Sequence, residues 1–187
     1  MKLDFTPTLE NDFVKLSPLT MDNFHELIPI ASQEKLVQYS PSDIETPESL
    51  KSYVEIALNL KENGTSIPFI IFDKRKQQYA GSTRYMNINL KNKVLEIGST
   101  WIGKEFQGTG LNSQMKFLML NHVFNNMDFE KVEFRVDERN MASRKAVEKL
   151  GCTLEGILRE NVYLLDGFKR NTCCYGLLKS EWEALKE

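Results

Sequence analysis

Glu96-Ile97-Gly98-Ser99-Thr100-Trp101-Ile102-Gly103-Lys104-Glu105-Phe106-Gln107-Gly108-Thr109-Gly110-Leu111-Asn112-Ser113 reads as a strand that feeds a glycine-bearing turn and then opens a helix. The helix, about Leu111–Met127, places Phe117, Leu120, Phe124 and Met127 at the helical period, and Leu111, Met115 and Leu118 widen the apolar stripe. Beyond it, Lys131–Asp137 alternates cleanly. Val132, Phe134 and Val136 fall on one face and Lys131, Glu133 and Arg135 on the other. A strand, a crossover helix and a second strand require the two strands to be parallel, or splayed apart. That junction is where a ligand crevice is expected.

Upstream, three strands are predicted at Ser66–Asp73, Gln78–Leu90 and Lys93–Ile102, joined by hairpin turns at Asp73–Gln77 and Lys91-Asn92. They form an antiparallel meander, and Pro68 marks an edge or a strand start. Phe13–Leu19 reads as a short strand. A first helix, roughly Met21–Ala31, is capped by Thr20, with Asp22 at its positive end. A second begins at Thr46-Pro47-Glu48 and stops near Asn63-Gly64. Downstream, Asn140 starts a helix that ends at Leu150-Gly151. Strands at about Thr153–Leu164 and Lys169–Leu178 flank a turn at Asp166-Gly167, and a short helix follows from Ser180. The order is β-α-α-β-β-β-α-β-α-β-β, an α+β layered arrangement.

The first turn of a helix leaves several N–H groups unpaired beside the positive end of its dipole, which makes an anion site. Gly108 and Gly110 allow a diphosphate to approach the backbone. The same glycines could simply shape a turn. No Lys-Ser/Thr pair follows Gly110, so this is not a Walker loop, and the preceding meander argues against a dinucleotide fingerprint.

The bulk numbers narrow the partners. The formal net charge of -2 argues against a duplex-DNA binder. Cys152, Cys173 and Cys174 are too few and too clustered for a disulfide framework or a zinc site, so a reduced cytoplasmic setting is expected, with no metal. No signal-like or membrane-spanning apolar stretch is present in the sequence. The 187 residues fit one domain.

Gln107-Gly108-Thr109-Gly110-Leu111-Asn112 resembles the Gln/Arg-x-x-Gly-x-Gly/Ala motif of the GNAT superfamily of N-acetyltransferases, with Asn112 departing from the usual small final residue. Ala80–Tyr85, Glu96–Trp101, Arg139–Arg144 and Leu150–Gly156 look like its ribosomal-protein N-terminal acetyltransferase (RimJ/RimL-like) branch, in the right order over about residues 10–180. The resemblance implies one N-acetyltransferase domain over residues 1–187. It also implies a mixed, mostly antiparallel sheet of about seven strands with a splayed parallel pair, flanked by about four helices.

The resemblance further implies acetyl-CoA as donor. Ser99, Thr100, Trp101 and Ile102 would pair with the pantetheine arm, and Gln107, Gly108, Thr109, Gly110, Leu111, Asn112 and Ser113 would hold the pyrophosphate. Asn140 would meet the arm, Ser143 would face the sulfur, and Arg144 would reach a phosphate. Each has a plainer reading: Asn140 as a helix cap, Ser143 as a small packing residue, Arg144 as a solvated charge. Glu96 is the expected general base, and otherwise a surface or salt-bridging glutamate. Many relatives carry a tyrosine acid where this chain has Val147; Ser143, Tyr163 or Tyr175 could donate instead. His25 and His122 are expected to be structural or exposed rather than catalytic, and the cysteines are not expected to be nucleophiles.

The acceptor is expected to be an amine, first a protein N-terminal α-amine, and in the alternative a small amine such as an antibiotic or polyamine. Glu34, Asp43, Glu45 and Glu48 could attract a cationic amine or form a solvated face. A non-catalytic acyl-CoA-binding module is the rival reading, and a homodimer is implied by resemblance alone.

Overall fold

The computed structural model describes residues 3–185. It is built on one eight-stranded sheet: β1 (Leu9–Glu10), β2 (Val14–Pro18), β3 (Ile67–Asp73), β4 (Gln78–Asn89), β5 (Val94–Ile102), β6 (Lys131–Asp137), β7 (Thr153–Tyr163) and β8 (Lys169–Leu178), in the order β1-β2-β3-β4-β5-β6-β8-β7. All neighbours are antiparallel except β5 and β6. The helices are α1 (Ile28–Ala31), α2 (Pro47–Glu62), α3 (Leu111–Asn121), α4 (Met141–Glu148) and α5 (Lys179–Ala184).

Strand alternation sends side chains to two different helical layers. On one face Phe69, Tyr85, Leu95, Ile97, Val132 and Phe134 pack with Leu111, Met115, Met119 and Trp182. This is the α3 face. On the other, Ile70 and Trp101 pack with Leu27, Ile30, Leu50, Tyr53 and Val54 from the early helices. This is the α2 face.

The sheet and helix tally exceeds the expected seven strands and four helices. The two-residue β1 pairs with β2 through Leu9 and Leu16, too short a segment to register as a periodic pattern. The helix expected over Met21–Ala31 is instead a 3-10 turn, Phe24–Leu27, followed by the four-residue α1. Pro29 is the physical reason: without an N–H, and with a ring that clashes one turn back, it suits only the start of a helix. Thr20 does not cap that turn. Its hydroxyl accepts from Asp22, and its amide donates to Asn23 Oδ1. The long helix also stops early as an α-helix. Past Asn121 it widens into a π turn, His122–Asn126, where the Tyr85 hydroxyl donates to the Met119 carbonyl at 2.9 Å.

Other boundaries follow their local chemistry. Thr46 accepts from the Ser49 amide, Ser49 reciprocates, and Pro47 occupies the first turn of α2. Asn140 caps α4 by accepting from Ser143 N at 3.1 Å. Pro68 sits at the start of β3.

Candidate active site

The parallel pair β5–β6 is in register only at Val94–Lys131, Leu95–Val132 and Glu96–Glu133. Both strands continue, to Ile102 and Asp137, without pairing with each other. Beyond Glu96 the two strands therefore present a gap with unpaired backbone edges.

The cause lies in β5. Against β4, Arg84 faces Gly98 while Ser82 faces Trp101, so β5 holds one surplus residue between them. Ser99 adopts φ 47°, a left-handed conformation rare for a residue with a side chain. The bulge inverts the alternation. Leu95 and Ile97 look to the α3 face, but beyond the bulge it is Thr100 that does so. Its Oγ1 lies 2.7 Å from Thr83 Oγ1 and 2.7 Å from Lys116 Nζ.

At the open end of the gap lies the turn before α3. Gly108 and Gly110 have φ of 72° and 85°, and an added Cβ at either would meet nothing within 4 Å. Gly110 caps α3 without any side-chain hydrogen bond. Among the described residues no acceptor meets the amides of Asn112 and Ser113, while the Leu111 amide has only a long contact, 3.4 Å, to Thr109 Oγ1. The loop is fastened from behind. Thr109 Oγ1 donates to Phe106 O, Gln107 Nε2 to Ile102 O, Arg75 Nη1 to Thr109 O and Lys76 Nζ to Glu105 O. The β3–β4 turn thus sets two cations beside an array of free amides, a setting that suits a diphosphate. Those cations had no signal in the sequence, since only the fold brings the turn to the loop.

Glu96 stands at the apex of the gap and is 6% exposed. Its Oε2 accepts from Asn87 Nδ2 at 2.8 Å and lies 3.5 Å from Arg135 Nε. Burial raises its pKa above the ordinary glutamate value, against the opposing pull of Asn87 and Arg135. Its Oε1 lies over Gly98, where a Cβ would come within 3.0 Å. A carboxylate held dry beside the bulge is suited to taking a proton.

On the α3 face, Lys116 is as buried as Glu96. Its ammonium spans the parted strands, bonded to Thr100 on β5 and 5.8 Å from the centre of the Phe134 ring on β6. Burial pushes its pKa down to about 7. Nothing in the sequence singles out this lysine, which lies within an apolar stripe.

Asn140 and Ser143 lie at the start of α4, where the cap is formed and the Ser143 hydroxyl has no protein partner among the described residues. Arg144 is engaged internally: Nε donates to the Tyr175 hydroxyl and Nη1 to Glu138 O. Tyr175 in turn donates to Glu148, and Tyr163 is exposed at the sheet edge. Val147 is buried in the core. His122 stacks on Tyr85. Cys152 is buried with its thiol pushed up to about 12, which keeps it protonated. Among the described residues no group of three His, Cys, Asp or Glu side chains could hold a metal ion, and no helix is long and apolar enough to cross a membrane.

Comparison with known proteins places this geometry. Residues 14–153 match the family model described as acetyltransferase (GNAT) domain. YdaF of Bacillus subtilis (strain 168), which carries the provisional name of a ribosomal N-acetyltransferase, is 28% identical over 91% of this chain and 92% of its own length. The ribosomal-protein-serine acetyltransferase of Escherichia coli (strain K12) is 24% identical over 68% of this chain and 70% of its own. A GCN5-related N-acetyltransferase from Brucella melitensis superposes with a TM-score of 0.85 at 27% identity, over 97% of this chain and 82% of that one.

Proposed function

The chain belongs to the GNAT acetyltransferase family and is an acetyltransferase, and from that premise we propose that it moves an acetyl group from acetyl-coenzyme A to a protein N-terminal α-amine in the cytoplasm. The observation that carries this reading is the conjunction of free amides at the head of α3 with a strand pair that parts beyond Glu96. Acetyl-coenzyme A supplies an activated acetyl group and a good leaving sulfur.

The residues divide the work. Asn112 and Ser113, with Gln107, Gly108, Thr109, Gly110 and Leu111, offer the backbone cradle for the diphosphate, and Arg75 and Lys76 add positive charge behind it. The open edges at Thr100, Trp101 and Ile102 orient the arm between the strands. Asn140 and Ser143 flank the same opening from α4, and Arg144 stiffens that flank through Tyr175. Glu96 takes the proton of the incoming ammonium, directly or through water, on the α2 face. Lys116 Nζ holds or releases a proton near neutral pH on the α3 face, where Val147 offers no hydroxyl. Residues 1–187 are read as one catalytic unit. The implied homodimer finds support in edge strand β7, whose Leu154, Ile157 and Leu158 are exposed; light scattering on the purified protein tests it.

A coenzyme A release assay tests the function, with acetyl-CoA and a panel of N-terminal peptides set against small amines and polyamines. Release with peptides but not small amines is expected. Turnover of small amines alone would overturn the acceptor assignment, and calorimetry showing no acetyl-CoA binding would overturn the donor.

A further inference from the structure

Arg84 on β4 lies opposite Gly98, and its side chain leaves the sheet on the α2 face, beside the bulge. The residue is only 4% exposed. Its guanidinium lies 4.5 Å over the ring of Tyr53. Nε and Nη2 are fully enclosed with no acceptor among the described residues.

The other buried charges are handled differently. Glu96 has Asn87 and Arg135. Asp73 and Asp137 each hold an arginine. Arg170 donates to Tyr39 O and Thr172 Oγ1. Arg84 alone among these lacks a hydrogen-bond partner. An arginine cannot shed its proton to relieve burial, and an uncompensated buried charge is strongly disfavoured. The Tyr53 ring offsets part of that cost, and a ligand that brings an acceptor would supply the rest.

Its surroundings connect it to the reaction. The Tyr53 hydroxyl donates to the Ser99 carbonyl at the bulge and receives Trp101 Nε1, each at 3.4 Å. Tyr53 also lines an open groove of about 580 Å³ with Pro41, Asp43, Thr46, Ser49 and Ile56. The groove and Arg84 share the Tyr53 side chain, so a ligand entering from the groove meets the guanidinium past that ring, on the same face of the sheet as the Glu96 carboxylate. A planar guanidinium offers a fork suited to an oxyanion. With Glu96 on the same face, a singly charged group is favoured over a doubly charged one.

Resting on the proposed acetyl transfer, we propose that Arg84 recognises a carboxylate carried by the acceptor close to the amine that is acetylated. The carboxylate comes either from a free amino acid or from an acidic residue at the start of a peptide.

Matched acceptors test this. Peptides beginning Ser-Asp and Ser-Asn, and a free amino acid and its amide, are compared in kcat/KM on the intact protein. The carboxylate member of one pair is expected to be favoured by about 10-fold or more, the low end of the discrimination expected when a buried donor is left unmatched. The pair that shows the preference identifies the source. In Arg84→Gln the preference should fall below about 2-fold while acetyl-CoA affinity is unchanged. Calorimetry with the acetylated carboxylate and carboxamide products makes the same comparison without turnover, so a failure of the transfer reading is seen separately. Equal use of both members, a preference for a phosphorylated amine, or a preference retained in Arg84→Gln would overturn the assignment.

A second variant guards against a purely structural role. Without acceptor, Arg84→Met should melt at the wild-type temperature or above it, because it removes an unmet charge. A fall of more than about 3 °C, the scale of 1 kcal/mol in a domain of this size, would make Arg84 a structural residue and end the proposal.

Discussion

The two faces of the sheet at the parted strands each bury a cation, and they do so in opposite ways. Lys116 on the α3 face has a hydroxyl partner and a pKa near neutrality, so it can answer burial by giving up its proton. Arg84 on the α2 face has no hydrogen-bond partner among the described residues and no such escape. The α3 face also carries the free amides of the glycine turn, and the α2 face carries Glu96. On the proposed function, the α3 face seats the donor and the α2 face receives the acceptor, with one proton-exchanging group on each, Lys116 and Glu96. Changes on each face should therefore disturb different parameters.

The largest expected effect is on the α2 face. Glu96→Gln should lower kcat by roughly 10²–10³-fold, the usual contribution of a general base, with acetyl-CoA affinity unchanged. The acid limb of the wild-type rate profile, displaced upward because burial raises the Glu96 pKa, should vanish with it. An intact acid limb in the variant would remove Glu96 as the base.

Lys116→Met should come next, read as stability. The folded pKa of about 7 lies below the ordinary 10.5. Between those values the unfolded chain binds a proton that the folded chain does not, so wild-type stability rises as pH rises through that window. At about 1.4 kcal/mol per pKa unit, the deficit is a few kcal/mol and is complete below the folded value. Denaturant titrations of the methionine variant should show a gain that is largest near pH 6 and gone near pH 11. A gain independent of pH would mean that Lys116 is charged throughout.

At the mouth of the α3 face, Gly108→Val should weaken acetyl-CoA binding by about 10-fold, since a branched side chain at positive φ shifts the backbone that presents the amides. Calorimetry should show acceptor-product affinity unchanged. Equal loss of both ligands would dissolve the division between faces. The smallest effect is Arg135→Gln. Loss of that nearby positive charge, at an exposed arginine, should move the Glu96 limb upward; a downward shift would contradict the arrangement.

Much of this was legible in the residues. The strands after Ser66 fell within a residue or so of their predicted limits, because alternation and turn chemistry agreed there. The loop from Gln107 to Ser113 was legible because glycine spacing and helix onset share one physical cause. Early in the chain, Thr20 and Asp22 pointed to a helix start, and a long helix was expected where Pro29 leaves a 3-10 turn and a single α turn. Asn140 was legible as a cap. Lys116 and Arg84 were not legible as site residues. Each sits in a pattern that reads as ordinary, and only the inverted alternation past Ser99 and the docking of Tyr53 reveal what surrounds them.

That inversion has a further consequence. A surplus residue in β5 shifts the phase of the strand, and with Ser99 deleted Thr100 would follow Gly98 in plain alternation, so Thr100 would keep its place beside Thr83 and Lys116 and Trp101 its place beside Tyr53. Flattening the kink with Ser99 retained would do the opposite, turning Trp101 toward Thr83 and Lys116 and the threonine hydroxyl toward Tyr53. A one-residue deletion would thus remove the kink while sparing the furnishings of the two compartments, whereas straightening the full-length strand would exchange them.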